Sequence, residues 1–188
     1  MTRHDPHHPN LRSFEGRTPQ LGQGVWVDPS AVILGDVVIG DHSSIWPQVS
    51  IRGDVHRIRI GARTSIQDGV VLHVTHDGPY SPGGLPLLVG DEVTVGHQAI
   101  LHACEIGSRV LVGMGACVAD GARVEDDVIL GARALVPPGK HLVSGKLYVG
   151  SPARAVRSLT EEELEFLRYS AAQYVTLKDR HIAASSQA

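Results

Sequence analysis

Histidine is the residue type with the most chemistry to offer in this chain. There are 11 of them, and five (His56, His73, His76, His97 and His102) fall within one stretch. A neutral imidazole is both a metal ligand and an acid–base group that titrates near neutrality. Three imidazoles on one zinc ion leave a position open to water, the arrangement of catalytic rather than structural sites. Whether these side chains meet depends on the element that carries them.

That element is written in the hydrophobic pattern. From Val27 an aliphatic residue recurs at every sixth position: Val27, Ile33, Ile39, Ile45, Ile51. The phase slips and resumes at Ile60, Ile66 and Leu72, and again at Val89, Val95 and Leu101. A last run follows from Ile106 through Val112, Val118, Val124, Leu130 and Val136 to Leu142. The next residue is often glycine, as at Gly40, Gly61, Gly90 and Gly107. An amphipathic helix needs a period of 3.6 and tolerates glycine poorly. A hairpin sheet alternates with period two. A period of six with one inward aliphatic per short strand is the pattern of a parallel β-helix.

In such a fold three hexapeptides make one triangular coil, and each inward aliphatic stacks on its equivalent about 4.8 Å along the axis. The repeat then serves as a ruler. With the stretch 76–88 set aside as a bulge, Leu101 lies one coil after Leu72. His73 and His102, each following its leucine, stack on one face and can converge on one metal at about 2.1 Å each. His97 belongs to the preceding hexapeptide and faces elsewhere. Gln67, following Ile66, lies one coil below the His97 hexapeptide on the same face.

The pattern resembles the left-handed β-helix of the hexapeptide-repeat superfamily. The left hand and the habit of forming side-by-side trimers come from that resemblance. In a threefold trimer one face of a protomer meets a different face of its neighbour, so His97 from the next chain would complete a three-histidine site.

The motifs narrow the family. IRGDVHRIRIG (51–61), SIQDGVVLH (65–73), GHQAILH (96–102) and LYVGSPARAVRSLTEEE (147–163) are similar to those of gamma-class carbonic anhydrases, over roughly residues 11 to 180. The resemblance implies His73, His97 and His102 as metal ligands. It implies Arg52 and Asp54 as a pair bridging protomers beside the site, Gln67 as the residue bonded to metal-bound water, Asp68 as an interface and supporting residue, and Tyr148 as a tyrosine near the pocket. The implied cofactor is zinc, with cobalt or ferrous iron also suited to three imidazoles. The implied reaction is attack of metal-bound hydroxide on carbon dioxide, reversibly giving bicarbonate, at active sites between the protomers of a homotrimer.

The chain also departs from the family. Acidic proton-shuttle residues of the most active members are replaced by Val55 and by His76, and Gly150 stands near where a pocket asparagine is expected. His76 is the candidate substitute shuttle, since its ordinary pKa is near neutrality. Cys104, two residues from His102, is read as a buried small hydrophobe rather than a fourth ligand. His42, His56, His141 and His181 are read as surface or corner residues.

Competing functions are a metal-dependent acyl-coenzyme A thioesterase or esterase, a non-catalytic trimeric scaffold with a structural metal, and, more weakly, an acyltransferase. The last has no use for the His73–His102 stack.

Composition sets the outer limits. In 188 residues the aromatic share is only 4% against 42% hydrophobic, so the core must be aliphatic. A net charge of −3 with no basic block argues against nucleic acid. No apolar run approaches the roughly 20 residues of a membrane span. The N-terminus lacks a signal-peptide core, and the two cysteines make no disulfide framework, so a cytoplasmic protein is expected. Residues 1–10, with His4, His7 and His8, read as a disordered tail, 11–157 as the β-helix with loop 76–88 projecting, and 158–182 as a helix packed on the prism. That helix opens with the capping box Thr160-x-x-Glu163 and presents Leu164, Leu167, Ala171, Tyr174 and Leu177 on one face.

Overall fold

A computed structural model describes residues 10–185; the expected tail at 1–10 falls almost wholly outside them. The chain forms a parallel β-solenoid of short strands closed by one C-terminal helix, Glu161–Ser185. Its interior consists of three aliphatic columns. The first runs Ile33, Ile51, Leu72, Leu101, Val118, Val136, each paired with the next. The second runs Leu21, Ile39, Ile60, Val89, Ile106, Val124, Leu142. The third runs Val27, Ile45, Ile66, Val95, Val112, Leu130 and ends on Tyr148. Every aliphatic of the period-six pattern is buried in one of these columns.

The glycines after the second column are there because coils touch at that edge. A Cβ on Gly61 would lie 2.5 Å from the carbonyl carbon of Gly90. After the first column the equivalent positions carry Arg52, His73, His102 and Ala119 instead, so that corner is open.

All departures from the period fall at this same corner, in three successive coils. Between Ile51 and Ile60 the strand Ser50–Ile60 bulges against its partner strand, where Gly35 pairs with Gly53 and Val37 only with Ile58. Between Leu72 and Val89 the large loop leaves and returns. Between Leu101 and Ile106 one residue is missing relative to the repeat. The loop is shorter than the expected 76–88. Leu87 and Leu88 already belong to the strand Leu87–Val89, because Leu87 pairs with Ile58 and is fully buried. The neck of the loop is closed by mutual backbone hydrogen bonds between Thr75 and Leu85.

After Lys146–Val149 the chain reverses into the antiparallel strand Arg154–Ser158 and enters the helix. The capping box forms as expected: the Thr160 N–H donates to Glu163 Oε2 and the Glu163 N–H donates to Thr160 Oγ1. The helix packs on Ser44–Ile45, Ser65–Ile66 and Thr94–Val95, with Leu167 and Ala171 buried and Ser170 Oγ 2.9 Å from Thr94 Oγ1. It runs to Ser185, three residues past the expected end at 182, and near its end the His181 ring centroid lies 5.0 Å from Trp26 and 5.2 Å from Trp46. Lys178, not Leu177, takes the last fully buried position of the face.

Candidate metal centre

His73 and His102 end the strands Val71–His73 and Ile100–His102 and are paired residues in neighbouring coils. Their rings come together, with His73 Nδ1 3.1 Å from His102 Nε2. The other nitrogen of each ring faces a carboxylate. His73 Nε2 lies 3.2 Å from Asp54 Oδ1, and His102 Nδ1 lies 2.6 Å from Asp120 Oδ1. A carboxylate only accepts, so these ring nitrogens carry the protons. Two lone pairs, on His73 Nδ1 and His102 Nε2, are therefore left facing each other.

The β-strand bulge is what brings Asp54 to this place. Arg52 Nη1 binds Asp54 Oδ2 at 2.7 Å, so one carboxylate joins Arg52 to His73. Burial alone would raise the Asp54 carboxyl, but the hydrogen bonds from Arg52 and His73 outweigh it and hold it below its usual range. Burial lowers the His73 imidazole, against the pull of Asp54, and favours the neutral ring that a metal requires. Asp120 is likewise lowered: burial opposes, while hydrogen bonds from Thr75 and His102 prevail.

His97 lies after Thr94–Val95, on the helix-covered face, and its Nδ1 donates to Asp68 Oδ2 at 2.9 Å. The His97 side chain is about half exposed. Gln67 is buried one coil away, its N–H bonded to the Val95 carbonyl. Arg52, Asp54, His73 and His102 thus converge within one chain, while Gln67, Asp68 and His97 form a second group on another face. Among the described residues no three His, Cys, Asp or Glu side chains of one chain converge on a metal position.

The donors suit a metal ion nonetheless. Two ring nitrogens 3.1 Å apart have the spacing of two ligands on one ion at about 2.1 Å each. Each of the three histidines gives its other nitrogen to a carboxylate, the support that metal-ligating imidazoles nearly always have.

His76 lies at the loop neck between two clefts. One, of about 340 Å³, includes Asp54, Val55 and Glu15; the other, of about 290 Å³, includes Asp120, Pro79, Tyr80 and Leu85. Tyr148, which the resemblance implied near the pocket, is a buried core residue within this chain. It occupies the inward position after Leu130 in the third column, about three strand spacings, or roughly 14 Å, from the level of Val95. Its hydroxyl donates to the Val143 carbonyl and accepts from the Val143 N–H. Cys104 is a core residue as read, and burial pushes its thiol far above the usual range. Asp120 is the residue that sequence reasoning missed. The available signal was an acid one coil after His102, at the open corner.

The fold and this corner define a hexapeptide-repeat protein that carries a carboxylate-backed histidine pair on the outside of a parallel β-helix. The family model described as bacterial transferase hexapeptide (six repeats) matches residues 18–53. Protein YrdA of Escherichia coli is 55% identical over 94% of this chain and 96% of its own length. The mitochondrial gamma carbonic anhydrase 2 of Arabidopsis thaliana is 39% identical over 98% of this chain and 66% of its own. A crystal structure of a hexapeptide transferase family protein from Anaplasma phagocytophilum superposes with a TM-score of 0.82 at 40% identity, covering 89% of this chain and 95% of that one. The chain belongs to the gamma-class carbonic anhydrase-like family of hexapeptide-repeat proteins.

Proposed function

We propose that this chain is a gamma carbonic anhydrase-like metalloenzyme that hydrates carbon dioxide reversibly, with zinc as the first-choice metal and cobalt or ferrous iron as alternatives. The observation that carries the reading is the pair of ring nitrogens, His73 Nδ1 and His102 Nε2, 3.1 Å apart with a carboxylate behind each ring. A bound zinc ion supplies the ability to lower the pKa of water from roughly 15.7 to about 7, which yields a nucleophile for an electrophilic carbon.

The chain's own residues do the rest. His73 and His102 bind through the facing nitrogens while Asp54 and Asp120 keep the opposite nitrogens protonated. His97, oriented by Asp68, contributes its other nitrogen to the corner of an adjoining protomer in a homotrimer. The exposed Val71 and Ile100, directly before each histidine pair member's leucine, are apolar surface suited to that contact. Gln67 travels with His97 and orients the attacking oxygen by its side-chain amide. His76, beside the cleft that contains Asp54, moves the released proton toward solvent, because Val55 has no acid to offer.

A second reading rests on the other cleft. Its 290 Å³ with Pro79, Tyr80 and Leu85 is more room than carbon dioxide needs, and favours a short acyl thioester as the electrophile. Metal analysis of the protein as purified, followed by stopped-flow hydration with each metal restored, tests the proposal. Metal-dependent hydration supports it. A metal-loaded protein that leaves carbon dioxide untouched but cleaves acyl-coenzyme A overturns it in favour of the thioesterase. One inert in both assays is a scaffold. No helix among the described residues is long and apolar enough to cross a membrane.

A further inference from the structure

Asp120 reaches the site from the coil after His102. The N–H of Gly121, at φ +67°, donates to the carbonyl of Ala103, the residue next to His102. That left-handed turn is open to glycine at no steric cost, and it hangs the Asp120 side chain over the His102 ring. The two carboxylate oxygens are then divided. Oδ1 accepts from His102 Nδ1 at 2.6 Å, and Oδ2 accepts from the Thr75 hydroxyl. Thr75 in turn is fixed by its paired backbone hydrogen bonds to Leu85, 3.1 and 2.9 Å, at the neck of the loop.

We propose that Asp120 and Thr75 are the positioning pair of the metal site. Asp120 sets His102 in the tautomer with Nδ1 protonated and Nε2 free, and Thr75 prevents the carboxylate from rotating away. The loop that interrupts the repeat thereby has a role beyond lining clefts: its neck fixes one ligand. The proposal rests on the reading of His102 as a ligand, but its first consequence concerns the ring itself and needs no metal.

The variants are Asp120→Asn and Thr75→Val in the full chain. Asparagine keeps the size but can turn an NH2 toward Nδ1, whereas valine keeps the carboxylate and removes only its clamp. Two measurements are made on each: the His102 tautomer in metal-free, ¹⁵N-histidine-labelled protein by long-range ¹H–¹⁵N NMR, and zinc affinity by competition with a chelating indicator. Wild type should show His102 protonated on Nδ1. Asp120→Asn should move the proton to Nε2 and weaken zinc by about 10- to 100-fold, the usual cost of losing such support. Thr75→Val should give a mixture of tautomers and a smaller loss. Wild-type tautomer and zinc affinity within about twofold in both variants would overturn the proposal. Should Asp120→Asn fail to fold, Thr75→Val decides by the same two readouts. If wild type binds no zinc, the metalloenzyme reading fails, and the tautomer comparison still decides whether Asp120 and Thr75 orient the ring.

Discussion

His102 Nε2 lies 3.1 Å from His73 Nδ1, one coil apart on the same face of the solenoid, and neither atom carries a proton once the carboxylates behind them are counted. Facing lone pairs repel. The contact is favourable only with a cation or a shared proton between them, so the pair is built for occupancy. Either histidine changed to alanine should therefore abolish bound zinc, measured by elemental analysis, while leaving the far-ultraviolet circular dichroism of the fold unchanged.

The third ligand is assigned to a neighbouring protomer. Mixing His73→Ala chains with His97→Ala chains under conditions of proven subunit exchange should restore metal binding that neither variant shows alone. A mixture that stays metal-free after exchange refutes the shared site.

In the proposed reaction, regenerating the nucleophile sends a proton out past Val55 and His76. Small imidazole buffers should raise kcat and leave kcat/KM nearly unchanged in stopped-flow assays. His76→Ala should lower kcat by about 100-fold or more, the lower end of what general acid–base groups contribute. A kcat indifferent to both buffer and His76→Ala would remove the residue from the reaction.

Tyr148 is a core residue, so Tyr148→Phe should leave kcat and zinc content unchanged. It should cost about 0.5–1.5 kcal/mol in urea unfolding, the worth of an ordinary buried hydrogen bond, here the one to Val143. A fall in turnover at unchanged stability would return Tyr148 to the site.

Glu163 closes the helix cap. Hydrogen bonds from Arg157, then from the Thr160 backbone, hold its carboxyl down at about 2 against an ordinary 4.5. A lowered carboxyl pKa means that the unfolded chain takes up the proton first, so the stabilisation is present above pH 4.5 and fades toward about 2. Glu163→Gln should lower Tm at neutral pH, and the difference from wild type should close across that window. A constant difference down to pH 2 would show that the cap acts through shape alone.

The period-six pattern by itself determined the interior. In a solenoid each inward position is a fixed count along the chain from the last, so Leu72 under Leu101, and hence His73 beside His102, follow from counting. The same ruler carried one step past Leu142 reaches Tyr148 and places it inside. The helix face was legible through its period and its cap, but the meeting of His181 with Trp26 and Trp46 at the far coils was not. Counting fails at the open corner, because there the chain departs from the repeat and side-chain direction no longer follows from position. Only the tertiary structure shows that the three slips share this corner, that the bulge after Ile51 delivers Asp54 to His73, and that Asp120, from the coil after His102, closes on its ring with Thr75 behind it. These contacts join residues from separate coils through their side chains, and a one-dimensional period carries no information about where a side chain turns once it leaves the strand.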